Sequence, residues 1–322
     1  MRFLLRRLAL FVAALAVISI LIFMALRVLP GDVASVMAGT DSPPERVAAL
    51  RSQLGLNKPL IGQYLDWSWA LLHGDFGVST LTGRTISAQV GARVTVTFPL
   101  IVMGLLVAVV IGIPLGCAST LAKSGRVRAF LHALAIVGGS IPALWGGSLL
   151  ILLFGRGIGL VGLFPSQGFP QEGWAAFSRA LASLVLPALS VGIIVGSGLM
   201  RYTHAALGEL LSSGTIDMAM ACGMTRTRAV LTVGLRLAMP QLVSVIGLTF
   251  AEMITGVMVI ENLFNIPGLG QGLISDLGNR DLIAVQGELF MLAAFFLVIG
   301  LVVDLLHRAL DPRLNDFAER TR

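Results

Sequence analysis

Six apolar runs dominate this chain, over residues 8–29, 97–122, 130–154, 181–202, 237–260 and 287–306. A helix needs about 20 mostly apolar residues to cross a bilayer, and each run is that long. The pattern predicts an all-α polytopic membrane protein with six transmembrane helices. Arg2, Arg6 and Arg7 ahead of the first run give it the look of a secretory leader. Its apolar part exceeds the roughly 7–15 residues of a cleaved leader, so it reads as a retained anchor.

The polar intervals divide the chain into four parts. Residues 1–29 form a cytoplasmic N-terminus and first span, and 30–96 an extracytoplasmic loop. Residues 97–309 form a five-helix core, and 310–322 a tail. Arginine and lysine cluster at the termini, at 123–128 and at 201–236, whereas the short loops on the other side hold only Arg156, Arg179 and Arg280. Positive loop charge marks the cytoplasmic face, which places both termini and the 203–236 loop inside.

Two of these intervals carry further pattern. In the outer loop, Ser42-Pro43-Pro44-Glu45 reads as a capping box with proline at the first helical position, and Gly55 sits where a helix would end. A second helix over 60–72 places Tyr64, Trp67 and Trp69 where aromatic rings favour the membrane interface. The inner loop is long for a connection between packed helices. It carries the small-residue patch Ala219-Met220-Ala221-Cys222-Gly223, with Leu207, Leu211, Gly214 and Met218 at helical spacing. Small residues admit close approach, so this loop reads as a handle for a second protein. Gly112 with Gly116, and Gly192 with Gly196, read as helix-packing pairs within the spans.

Composition narrows the class further. Hydrophobic residues make up 56% of the 322 residues and charged residues 12%, against about 25% charged in soluble domains. The net charge of +6 is scattered over loop ends rather than drawn into one stripe, which argues against nucleic acid. Cys117 and Cys222 form no CxxC pair, so neither a disulfide framework nor a metal site follows. Neither lysine, Lys58 or Lys123, follows a glycine, and the chain has no phosphate-binding P-loop of its own. No H-E-x-x-H occurs. Ser197, between Gly196 and Gly198, is the one candidate for an intramembrane serine hydrolase, and glycine–serine runs are ordinary packing elements. No enzyme emerges. Glu252 lies inside the fifth run, where an ionisable residue is costly. It reads either as lining a path for a cationic group or as a structural carboxyl between helices.

The motifs together resemble one family, the dipeptide, oligopeptide and nickel branch of ABC-importer permeases. The likeness runs from Arg6-Arg7 and Leu29-Pro30-Gly31-Asp32 through Leu54-Gly55-Leu56, Gly74-Asp75-Phe76-Gly77 with Ser79, and Gly112-Ile113-Pro114-Leu115-Gly116. It is most specific in Glu261-Asn262-Leu263-Phe264, Pro267-Gly268-Leu269-Gly270, Arg280-Asp281, Gly287, Asp304 and Asp311-Pro312-Arg313. The resemblance implies a type I ABC importer transmembrane-domain fold in a bacterial plasma membrane, importing di- or oligopeptides by alternating access. It implies a second permease subunit, two cytoplasmic P-loop ATPase subunits that hold ATP and magnesium, and an extracytoplasmic solute-binding protein, with no cofactor on this chain. The inner loop would hold the EAA coupling helix, with Glu209, Leu211, Ile216, Ala219, Ala221 and Gly223 on that pattern. Asp217, Met220 and Cys222 depart from it. Glu261 and the turn Pro267, Gly268 and Gly270 would lie at an outer gate, with Glu252 on the path. The competing reading is an ion-driven carrier that uses Glu252 as its coupling carboxylate; the lack of an evident internal repeat weighs against it.

Overall fold

The computed structural model describes residues 2–28, 33–39, 42–79 and 82–310. The Leu29–Asp32 close of the first span, the 311–322 tail and its Asp311-Pro312-Arg313 lie outside them. Thirteen α-helices account for most of the described chain. Five stretches are long and apolar enough to cross a membrane, and a sharply bent pair makes a sixth. The structure divides into two compact units, residues 1–97 with 267–298, and residues 98–266 with 299–322.

The first unit holds α1 (Arg2–Val28), α2 (Val33–Ala38), α3 (Pro44–Gln53), α4 (Leu60–Leu72) and the beginning of α5 (Ile86–Leu121). α12 (Leu269–Gly278) and the first part of α13 (Leu282–Leu310) complete it. α3 starts at the expected proline, but no capping box forms. Pro43 is the N-cap residue, and the Ser42 hydroxyl donates back to the Ala38 carbonyl. Gly55 does what was expected. It takes φ +64°, and the amides of Gly55 and Leu56 return to the carbonyls of Ser52 and Arg51, the paired closure of a Schellman turn. The aromatic residues of α4 also have packing roles within the unit. Tyr64 and Trp67 face inward onto Phe23, 5.5 and 6.0 Å between ring centres, and Trp67 also meets Phe290. Only Trp69 points away, 67% exposed, because it lies off the inward face of α4.

Motifs far apart in sequence meet in this unit. The Asp75 carboxylate accepts from the Gly77 amide, Gly77 lies against Ile283, and Phe76 lies where Gly287 leaves room. The Ser79 hydroxyl donates to the buried Asp281 carboxylate across 202 positions, and Asp281 also accepts from the Ala284 amide at the start of α13. Ser79→Ala should therefore lower the unfolding free energy by about 1.5–3 kcal/mol, the scale of a buried hydrogen bond to a charged group. Thermal melting of the purified chain in mild detergent measures it.

The second unit is built around α8 (Phe177–Ser212), which packs against α5, α6 (Gly125–Ser140), α7 (Ala143–Phe154) and α11 (Leu235–Leu263). The α5–α8 crossing confirms the glycine pairs. A Cβ on Gly112 would stand 2.6 Å from the Gly196 carbonyl oxygen, and one on Gly116 would stand 2.5 Å from Thr203 Cβ. One on Gly192 would stand 2.7 Å from the Gly104 carbonyl oxygen. Ser197 packs against Gly138 and donates to the Ile193 carbonyl, as a packing residue does.

The third apolar run is not one straight span. It begins at Gly125 and breaks at Ile141–Pro142, where α6 and α7 bend by 104°. Pro142 lacks an amide hydrogen and forces the preceding Ile141 into extended backbone, φ −76° and ψ 121°. Gly138, Gly139 and Ser140 just before it hold a helix weakly.

Candidate functional site

The inner loop is shorter than its sequence suggests, because α8 continues without a break to Ser212 and buries Thr203, Ala206 and Leu207. Gly214, at φ +74°, then turns the chain, and α9 (Thr215–Ala221) runs back across the end of α8. A single turn α10 (Arg226–Arg228), capped by the Thr225 hydroxyl, and a π-helical stretch Ala229–Gly234 lead into α11. Such π stretches cost hydrogen-bond geometry and recur at functional sites.

Ile216 is the residue that fixes α9. It is 1% exposed and sits in an apolar cluster with Cys117, Leu199, Leu207, Ala229 and Val230. Leu211 and Ala219 are half-buried against the same cluster. Gly234 leaves room for this: a Cβ there would come within 3.2 Å of Ile216 Cδ1. The outward surface of α9 and its exit is therefore Asp217, Met218, Met220, Ala221, Cys222 and Gly223, with Met218 74% exposed. Glu209 is exposed one turn before α8 ends. Gly223 has a local task that its sequence position did not reveal. At φ +90° it closes α9: the amides of Gly223 and Met224 bond the carbonyls of Met220 and Ala219. Only glycine adopts that backbone without strain.

The residues expected at the outer gate fall in different settings. Glu252 lies on the exposed surface of α11. Glu261 is fully buried at the end of α11, and its carbonyl accepts from the Ile266 amide. Asn265 takes the left-handed conformation in this turn, φ +50°. Gly268 is extended, φ −94° and ψ −175°, and serves as the N-cap of α12. Asparagine tolerates a left-handed backbone better than other side chains, so the turn needs no glycine there. Pro267 is exposed, while Gly268 and Gly270 are buried.

Sequence reading missed a buried ionic centre in the first unit. Arg93 on α5 bonds Asp276 on α12 at 2.7 Å and pairs with Glu288 on α13. Glu288 stands one residue inside the sixth apolar run, and an ionisable residue in that position was the available signal. Arg93 lies just ahead of the second run, where it passes for a loop arginine.

Residues 108–316 match the family model described as binding-protein-dependent transport system inner membrane component, and residues 1–87 match its N-terminal companion. The dipeptide transport system permease protein DppB of Escherichia coli is 34% identical over 335 residues, covering 98% of this chain and 99% of the relative. The glutathione transport system permease protein GsiC of Salmonella typhimurium is 32% identical over 315 residues, with 98% and 99% covered. Among solved structures, an inward-facing form of the MetNI methionine ABC transporter aligns with TM-score 0.54 at 22% identity. It covers 69% of this chain and 96% of that one, and shows the type I importer fold.

Proposed function

Because the chain belongs to the binding-protein-dependent transport system inner membrane components, and is a multi-pass permease subunit of such an importer, we propose how it couples and what it carries. α9 is the coupling helix, and the exposed strip from Met218 to Gly223 is what a cytoplasmic P-loop ATPase grips. The observation that carries this is the anchoring of Ile216: the helix is held rigidly from behind while an apolar strip is left uncovered. A lever must be stiff toward its own domain and open toward the partner.

The solute is a di- or oligopeptide, in keeping with the dipeptide and glutathione permeases among the relatives. The importer sits in a bacterial plasma membrane with both termini and α9 inside. It comprises this chain, a second permease, two ATPase subunits that bind ATP and magnesium, and an extracytoplasmic binding protein. Glu252, Glu261 and the Pro267–Gly270 turn serve the translocation path, Glu252 from a surface left uncovered in the single chain.

A photo-crosslinking residue at Met218 tests the coupling surface. It should form an adduct with a P-loop ATPase in intact cells. The same residue at Leu160, 81% exposed in the connection that leads into the other end of α8, should not. That α-helix spans about 54 Å, so the two probes sample opposite faces. Absence of an ATPase adduct at Met218 would overturn this assignment.

A further inference from the structure

α12 is only ten residues long, yet α5 holds it at two points. At its beginning, the Leu269 amide donates to Thr97 Oγ1 at 2.8 Å. That satisfies one of the donors a helix leaves free in its first turn. Two turns on, Asp276 accepts from Arg93 at 2.7 Å. Arg93 and Thr97 are four residues apart and share one face of α5, while Leu269, Gly272 and Asp276 share one face of α12. Gly272 is what lets the two faces close. A Cβ there would come within 2.4 Å of the Arg93 guanidinium. The same guanidinium pairs with Glu288 on α13, whose carboxylate is fully buried.

One arginine therefore joins three helices: α5, the short α12 that follows the Pro267–Gly270 turn, and the span α13. We infer that Arg93 is a clamp that makes these three segments travel as one body during transport, so that α12 does not move on its own. The inference rests on the importer reading, because it assigns the clamp to a transport cycle. Arg93 is a positioning residue that need not touch solute.

A plain alternative is that Arg93 only neutralises two buried carboxylates. The triple variant Arg93→Gln, Asp276→Asn and Glu288→Gln separates the two roles. It removes the clamp along with both carboxylates that Arg93→Gln alone would leave buried and uncompensated. Spin labels on Ala88 and Leu277, both exposed, report the α5–α12 separation by electron–electron dipolar spectroscopy. The importer, isolated with its partner subunits, would be measured without nucleotide and after trapping with ATP and vanadate.

In the otherwise unaltered chain, the separation should stay within about 2 Å between the two states, as in a rigid body. In the triple variant it should shift or broaden by more than that. The clamp is overturned if the triple variant keeps one narrow separation in both states, or if the unaltered chain itself shifts. The readout needs no solute. If no ATPase or second permease is isolated with the chain, the importer reading fails instead. The clamp is then judged on the chain alone in lipid nanodiscs, by whether the triple variant broadens the distribution.

Discussion

Gly112→Leu should leave no folded permease to purify. A Cβ at that position already falls 2.6 Å from the Gly196 carbonyl oxygen and 2.9 Å from Leu199 Cβ, and leucine adds three more carbons. Overpacking a core ordinarily costs about 1–3 kcal/mol because side chains can shift. Here the obstacle includes main chain of a neighbouring helix, so relief requires separating α5 from α8. With total stability of about 5–15 kcal/mol in typical proteins, losing the central crossing is not survivable. The control is Gly198→Ala on the same α8, where an added Cβ meets nothing within 4 Å. That variant should be as stable as the parent or better, since alanine favours a helix by up to about 1 kcal/mol over glycine. Size-exclusion chromatography in mild detergent distinguishes them: a void-volume peak for Gly112→Leu, and a monodisperse peak for Gly198→Ala.

Gly223→Trp should cut ATP-driven uptake by about 100-fold, equivalent to about 2.7 kcal/mol of coupling. Two effects combine. Any side chain at φ +90° strains the turn that closes α9, which costs about 1–2 kcal/mol. The indole also stands on the strip proposed to meet the ATPase. Gly223→Ala isolates the first effect, because an added Cβ contacts nothing within 4 Å. It should weaken uptake several-fold at most. Proteoliposomes containing the whole importer and a dipeptide measure both. Equal uptake by the tryptophan variant and the parent would show that this strip is not the coupling surface.

The sequence made the helical architecture readable because membrane burial writes itself as long apolar runs. It also exposed the glycine pairs of α5 and α8, since small residues at four-residue spacing have few other uses in a span. Helix boundaries were less visible. α5 starts at Ile86, within a polar stretch that includes Arg93, because Ile86 and Val90 pack into a small core with Leu269 and Ala284. That core depends on residues about 180 positions away, and no local pattern announces it. The same distance hid the partners of Arg93 and Ser79. Along α8 the apolar signal fades after Tyr202, yet the helix continues ten residues, held by the cluster around Leu207 and Ile216. The break at Pro142 is local, yet the apolar pattern gives one span over 130–154. Pro99, Pro114, Pro187 and Pro240 remain inside helices, so proline alone does not distinguish a bend from a tolerated residue.

The direct measurement is to isolate this chain gently from its native membrane and identify its companions by mass spectrometry. A permease half coupled through α9 predicts a P-loop ATPase and a second permease in the same particle, the ATPase lost when Ile216→Asp unseats the helix while α5–α8 packing persists. A chain that emerges alone despite crosslinking, and that accumulates solute in proteoliposomes along an ion gradient, would contradict the account and make Glu252 the carboxylate to test.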